Sequence, residues 1–361
     1  MAYTTIDDPS AHFQIALYNG SSSSVTVTND GNSDLKPDWL WFKKRSASGD
    51  HNAFDTSRGL TERIFPNLDS AVDTGSNGIT SLTDGFTSGT FYGDVNGAGQ
   101  TFVTWQWKAN GGTTSTNDAS ATGVGSIDSV IQANTTAGFS IVTHTGSGSS
   151  GTIAHGLGAT PKWVLTKNRT DNSEDWAIYH VGLSSAEYYI RLNTTAAQAA
   201  GSSVWGDTAP SSTVITLGGA NGKNNASSKN YVSYCFAEIQ GYSKFGSYEG
   251  NGDADGPFVY TGFKPAWTMI KSIDDTYNWV IQDRERFGKI NTGATDKNLA
   301  ANSNSAEPSS ASFSGNQIDY LSNGFKLRSN AGNTNASQTY IYMAFAHHPF
   351  VSSKGVPVTA G

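Results

Sequence analysis

The pattern P-x-W-x-x-x-K occurs three times in this chain. It reads Pro37-Asp38-Trp39-Leu40-Trp41-Phe42-Lys43, then Pro161-Lys162-Trp163-Val164-Leu165-Thr166-Lys167, then Pro265-Ala266-Trp267-Thr268-Met269-Ile270-Lys271. Proline cannot donate to a strand ladder, so it suits the first residue of a strand. The aromatic and branched residues that follow favour extended backbone. Side chains alternate along a strand, so Trp39, Trp41 and Lys43 share one face with their sister residues, while Leu40 and Phe42 share the other. A strand that is apolar on both faces is internal, and the spacing predicts that its far end reaches solvent at the lysine.

The surroundings of the motif repeat too. Phe13, Phe139 and Phe245 open the three copies at similar distances before Pro37, Pro161 and Pro265. The closing strands also correspond: Val103, Trp105 and Trp107 alternate like Val232, Tyr234 and Phe236, and like Ile341, Met343 and Phe345. Repetition at this scale indicates copies of one structural unit. Forty glycines and only 15% charged residues fit short strands joined by many turns. The expected fold is all-β, with three tandem antiparallel β-sandwich domains of jelly-roll or lectin-like type. The expected boundaries are an arm at 1–11, repeats at 12–124, 125–241 and 242–349, and a loose tail at 350–361. Residues 109–136, rich in small polar residues, are expected to form the linker and the lead-in to the next copy. Thr194–Ala200 and Asp296–Ala301 are the only stretches expected as helical turns.

The expected structural core comprises Trp39, Trp41, Trp107, Trp163, Trp176, Phe236, Trp267, Trp279 and Phe345. Trp205 and Tyr188 have no counterpart in the other copies, so they are the candidate surface contacts for a ligand. Asn251-Gly252-Asp253-Ala254-Asp255-Gly256 resembles the start of a calcium loop, with Asn251, Asp253 and Asp255 as candidate ligands. Gly262 stands where a bidentate glutamate belongs, so a plain hairpin turn is preferred. Glu174/Asp175 and Asp274/Asp275 fall in polar turns. Asp283 and Glu285 alternate with arginines, as a solvated face does. His347-His348 reads as a solvated strand end. Cys235, the single cysteine, sits in an apolar strand as an inert thiol. No hydrolase elbow, phosphate loop or dinucleotide fingerprint is present.

The net charge of −7 and the absence of a basic run argue against nucleic acid as a partner. No apolar run is long enough for membrane insertion. The N-terminus lacks the basic and apolar segments of a signal peptide, so the expected site of folding is a reducing cytoplasm.

The stretch Gly241-Tyr242-Ser243-Lys244-Phe245, its Gly/Asn/Asp turn, and Gly256-Pro257-Phe258-Val259-Tyr260-Thr261-Gly262-Phe263-Lys264-Pro265-Ala266-Trp267 resemble repeat modules in virion-associated proteins of tailed phages, many of them marine. Thr4-Thr5-Ile6-Asp7-Asp8-Pro9-Ser10 is similar to the start of such proteins. The likeness covers the second and third repeats well. It covers the first through its N-terminus and its Pro37–Lys43 strand. It implies a particle component, tail-fibre-like or lectin-like, without catalytic residues or cofactors. The expected function is a non-enzymatic structural protein, displayed on tail or capsid after assembly in the host cytoplasm. Its expected partners are other virion proteins and copies of itself in a homo-oligomer. The alternatives are a glycan-binding receptor module and a carbohydrate-cleaving tail enzyme.

Overall fold

The computed structural model describes residues 3–21, 23–75, 78–90, 93–287, 297–307 and 317–358. Each repeat contributes one main antiparallel sheet with the same internal order: opening strand, closing strand, motif strand, following strand. In the first repeat these are Phe13–Asn19, Thr101–Trp107, Trp39–Lys44 and Asn52–Asp55. In the second they are Phe139–Thr145, Asn230–Ala237, Pro161–Asn168 and Ala177–His180. In the third they are Ser243–Glu249, Thr339–Pro349, Phe263–Ser272 and Val280–Asp283. The motif tryptophans occupy equivalent places, each opposite a closing-strand aromatic: Trp39 opposite Trp107, Trp163 opposite Phe236, Trp267 opposite Phe345.

A small second sheet covers the outer face of each main sheet. It pairs Val25–Val27 with Phe86–Ser88, Gly151–Ala154 with Val214–Leu217, and Phe258–Tyr260 with Gly324–Leu327. Between the two layers lies a private core. Leu40 and Phe42 meet Val27 and Phe86 in the first, Val164 meets Ile153 and Ile215 in the second, and Ile270 meets Val259 and Phe325 in the third. The chain is thus all-β and sandwich-like. Both faces of every motif strand are apolar because both are covered.

The inner faces do not end in three separate cores. Trp39, Trp41, Trp105, Trp107, Trp163, Leu165, Trp267, Met269 and Phe345 belong to one continuous cluster that all three repeats line. Trp107 shows this most directly. Its ring lies 4.5 Å from Trp39 and 5.0 Å from Phe13, 6.4 Å from Phe236 of the second repeat, and 5.8 and 5.7 Å from Trp267 and Phe345 of the third. The repeats therefore stand around a common axis, not in a row, and no repeat owns a complete core.

Hydrogen bonds close the same ring in three equivalent steps. The Glu307 N–H donates to Arg45 O (2.8 Å), Val72 N–H to Arg169 O (3.0 Å), and Gln198 N–H to Ile273 O (3.0 Å). Each donor comes from the repeat before its acceptor in the ring. A second cycle runs the other way from the residue that precedes each following strand. Trp176 Nε1 donates to Phe65 O, Trp279 Nε1 to Arg191 O, both at 2.8 Å, and His51 Nε2 meets Ala300 O at 3.0 Å. His51 Nδ1 accepts from Trp41 Nε1 at 2.8 Å, which leaves the proton on Nε2.

Several local expectations change. Pro265 lies inside its strand, where the register shifts on either side of it; the bulge removes the need for its missing N–H. Residues 109–136 are not a plain linker. Ser115–Asn117 pairs with Ser129–Asn134 at the edge of the second main sheet, so the boundary at 124 cuts a hairpin. The arm is not a free extension: Ile6 is buried in the shared core, and Tyr3 Oη donates to Gly262 O at 2.7 Å. The tail is held as well, since Ser353 N–H donates to Asp7 Oδ1 at 2.6 Å and Val351 bridges Pro357. Thr194–Ala200 is not helical but ends in the short strand Ala199–Ala200. Asp296 lies outside the described residues, and Leu299–Ala300 is strand. Met1, Ala2 and 359–361 also lie outside them.

A shared core predicts one unfolding event. Differential scanning calorimetry should give a single transition whose calorimetric and van't Hoff enthalpies agree. Trp107→Ala should lower the stability of the whole chain by about 3–5 kcal/mol. Three separate transitions, only one of them moved by that substitution, would contradict the shared core.

Candidate functional site

The three motif lysines do not reach solvent. Lys43, Lys167 and Lys271 are all 0% exposed. Each ammonium donates to two backbone carbonyls instead. Lys43 Nζ donates to Lys44 O (2.8 Å) and Asn304 O (3.2 Å), Lys167 Nζ to Asp69 O (2.9 Å) and Glu174 O (2.6 Å), and Lys271 Nζ to Ser272 O (2.6 Å) and Asp275 O (3.0 Å). Asn304 belongs to the third repeat and Asp69 to the first, so two of the three also tie neighbours together. Burial drives the amines down, to about 8 at Lys43 and Lys167 and about 7 at Lys271.

The carboxylate pairs noted in the sequence are engaged by neighbouring groups. Asp283 is not on a solvated face: it and Arg286 are buried and paired at 2.6 Å, and Asp283 also accepts from Trp105 Nε1 at 3.0 Å across the ring. Asp55 at the equivalent place pairs with Arg58 and accepts from Tyr234 Oη at 2.7 Å. His180 fills this place in the second repeat. Its Nδ1 accepts from Gly182 N–H (2.9 Å), and its Nε2 meets Tyr342 O (3.1 Å). Glu174 faces Lys223, Asp175 faces Arg191, and Asp274 accepts from Thr339 N–H. Glu285 is exposed beside Arg284 at 3.5 Å.

In the turn at 251–256, Asn251 Oδ1 accepts from Asp253 N–H and Asp253 Oδ1 from Asp255 N–H, while Asp255 pairs with Lys326 at 2.8 Å. The polar side chains thus brace the turn. Among the described residues, no group of three or more His, Cys, Asp or Glu is placed to hold a metal ion. Burial pushes the Cys235 thiol up to about 12.

Trp205 is not a surface contact. It is 1% exposed, at the end of the short helix Ser202–Trp205, and belongs to the outer core of the second repeat, 6.3 Å from Tyr179. Tyr188 is half-buried against the shared core. Trp205 thus fills the outer core of the second repeat, and Tyr188 adds to the core that all three repeats line. The nine expected core aromatics, from Trp39 to Phe345, are each 2% exposed or less.

A cleft of about 410 Å³ lies where the third repeat meets the first. Asp8, Asp30, Arg284, Glu285, His347 and His348 line it. The two histidines are part of the closing strand, not a solvated end beyond it, and their rings lie 3.7 Å apart. Burial and the nearby Arg284 and Lys264 charges lower the proton affinity of both imidazoles, that of His347 to about 3. An imidazole that binds protons so weakly is a poor general base near neutrality. Asp8 spends its oxygens on Ser10 and Ser33. The other two junctions are filled at the matching place. Gln132 Nε2 donates to Thr56 and Ser57 hydroxyls (3.0 and 2.8 Å) at one. Gly182 packs at the other, where an added Cβ would stand 3.1 Å from Ser247 and Ile341. No single motif signals this cleft, because it is assembled from the arm, one turn and a strand end far apart in sequence.

A family model described as a domain of unknown function (DUF7483) matches residues 8–349. No curated protein and no solved structure matches.

The buried lysines set a pH dependence. An unfolded lysine titrates near ~10.4, whereas these lose their protons from about 7 to 8. Above that range the unfolded chain holds more protons, so stability rises with pH. The neutral amine keeps two N–H donors, enough for its two carbonyls. Cys235 opposes this with one proton against three. The urea midpoint should therefore rise from about pH 7 to about pH 9, before buried tyrosines reverse the trend near ~10. Lys271→Met should lower the midpoint throughout and reduce the rise. A wild-type midpoint that is flat or falls over this range would contradict the assignment.

Proposed function

Because the chain belongs to the DUF7483 family over residues 8–349, and that family's description carries no activity, we propose its function from geometry together with the resemblance of its repeats to virion-associated modules: a non-enzymatic structural protein displayed on the particle of a tailed bacteriophage. It acts through contacts with other virion proteins and with copies of itself. The observation that supports this reading is where the reactive groups are spent. Asp55, Asp283, His51, His180, Lys43 and Lys167 all bind across repeat boundaries, and each is fully or almost fully buried. Catalytic acids and bases must reach substrate and exchange protons. Groups sealed between repeats stabilise one conformation instead. A body with one shared core, its arm and tail pinned to it, suits a part that must survive outside a cell.

Mass spectrometry and density assignment on purified particles test the placement. The chain should be present at a fixed copy number in every particle, and its absence from the particle would overturn the reading. Incubation with host polysaccharide should release no reducing ends. Their release would overturn the non-enzymatic part.

A further inference from the structure

The three small outer sheets share a register, so their solvent faces can be compared position by position. Val27, Ile153 and Val259 are the inward residues, opposite Phe86, Ile215 and Phe325. Their outward neighbours are Thr26 and Thr28 in the first repeat, Thr152 in the second, and Phe258 and Tyr260 in the third, while Ala154, on the other side of Ile153, is buried in the outer core. The fold is satisfied twice with small side chains here. In the third copy it carries two aromatic rings, 44% and 54% exposed. Exposing such rings gains nothing for the core.

The rings have a defined setting. Tyr260, Gly324 and Leu321 form one row across the sheet, and Phe258, Lys326 and Asp319 the next. Gly324 brings no side chain to its row, between Tyr260 and the exposed Leu321. The Phe258 ring packs against Gly324, where an added Cβ would stand 2.1 Å from Val259 O and 2.9 and 3.0 Å from ring atoms. The Tyr260 hydroxyl lies 3.3 Å from that of Tyr3, which is itself fixed on Gly262 O. At the far end, Lys326 pairs with Asp255 and Arg328 with Asp319. The strip is therefore a narrow aromatic floor with hydroxyls at one end and ion pairs at the other.

We infer that Phe258 and Tyr260 form a stacking platform for the pyranose rings of a glycan, with the groups at its ends meeting the sugar hydroxyls. A pyranose presents an apolar C–H face and a rim of hydroxyls, which matches an amphipathic ring surface bordered by polar groups. Two rings and one leucine fall far short of the roughly 800 Å² per partner that a stable protein interface uses. A nucleic acid would also stack on aromatics, but it needs basic groups for its phosphates, and here Lys326 and Arg328 are each matched by a carboxylate. The inference stands apart from any role on a particle, because it concerns the purified chain.

The test is titration of the full chain with cellohexaose, maltohexaose and chitohexaose to millimolar concentration, read by saturation-transfer NMR and calorimetry. At least one should bind saturably. The double variant Phe258→Thr, Tyr260→Thr takes its residues from the first repeat. It should keep the wild-type melting temperature and weaken that binding about tenfold or more. The inference is overturned if none of the three binds, or if the double variant binds as well as wild type. It is also overturned if sedimentation shows that the same substitutions abolish a self-association while sugar binding is absent, which would make the strip a protein interface.

Discussion

Burial of the tryptophan-bearing faces around one axis is the constraint on which the rest of this structure depends. A single sheet with Trp39, Trp41, Trp105 and Trp107 on one face cannot leave that face in water. Each large aromatic hides roughly 150–250 Å² when covered. A small outer sheet can cover only the other face. Three sheets related by a ring solve the problem together, because each inner face is covered by the other two. Trp107 touching aromatics from all three repeats is the physical expression of that solution.

Once the faces converge, polar groups at the edges of the sheets are sealed as well. The cost of burying them is met by partners in the next repeat. Equivalent positions solve this with different chemistry. Tyr234 donates to Asp55 and Trp105 donates to Asp283, while His180 meets a backbone carbonyl of the third closing strand. The geometry of the ring is preserved while the side chains diverge. The lysines follow the same logic, donating to backbone carbonyls at strand ends and in loops. Their full burial explains why the motif ends in a flexible cation: a long stem reaches a carbonyl pair that differs from one repeat to the next.

Much of this was legible from residue order. The three proline-led strands, the alternation in the closing strands and the aromatic opening residues placed every main sheet and identified the buried tryptophans. What pattern could not supply was the relation between copies. A strand apolar on both faces reads the same whether its second partner is its own sandwich or a neighbouring repeat, so separate cores were the simplest expectation. The lysine, for the same reason, looked like a strand end meeting water. Trp205 misled because absence of a counterpart was taken to mean exposure. The short helix that ends at Trp205 instead seats that ring in the outer core of the second repeat, 6.3 Å from Tyr179. The seam cleft was invisible because Asp8, Arg284 and His347 meet only when the ring closes.

Comparison between repeats separates what the fold requires from what it tolerates, and the boundary falls at the outer sheets. Inward positions vary within narrow limits of size and polarity: Val27, Ile153 and Val259 opposite Phe86, Ile215 and Phe325. Outward positions are released from that limit, as Thr26 and Phe258 at the same place demonstrate. At the inner core the reverse holds, since changing one ring alters the packing of two other repeats. A chain of this kind can acquire a surface chemistry on one copy without disturbing the other two. Three nearly equivalent outer faces on one rigid body then make separate sites for separate contacts, and the one whose rings depart from its sisters is where a specific contact has physical means to form.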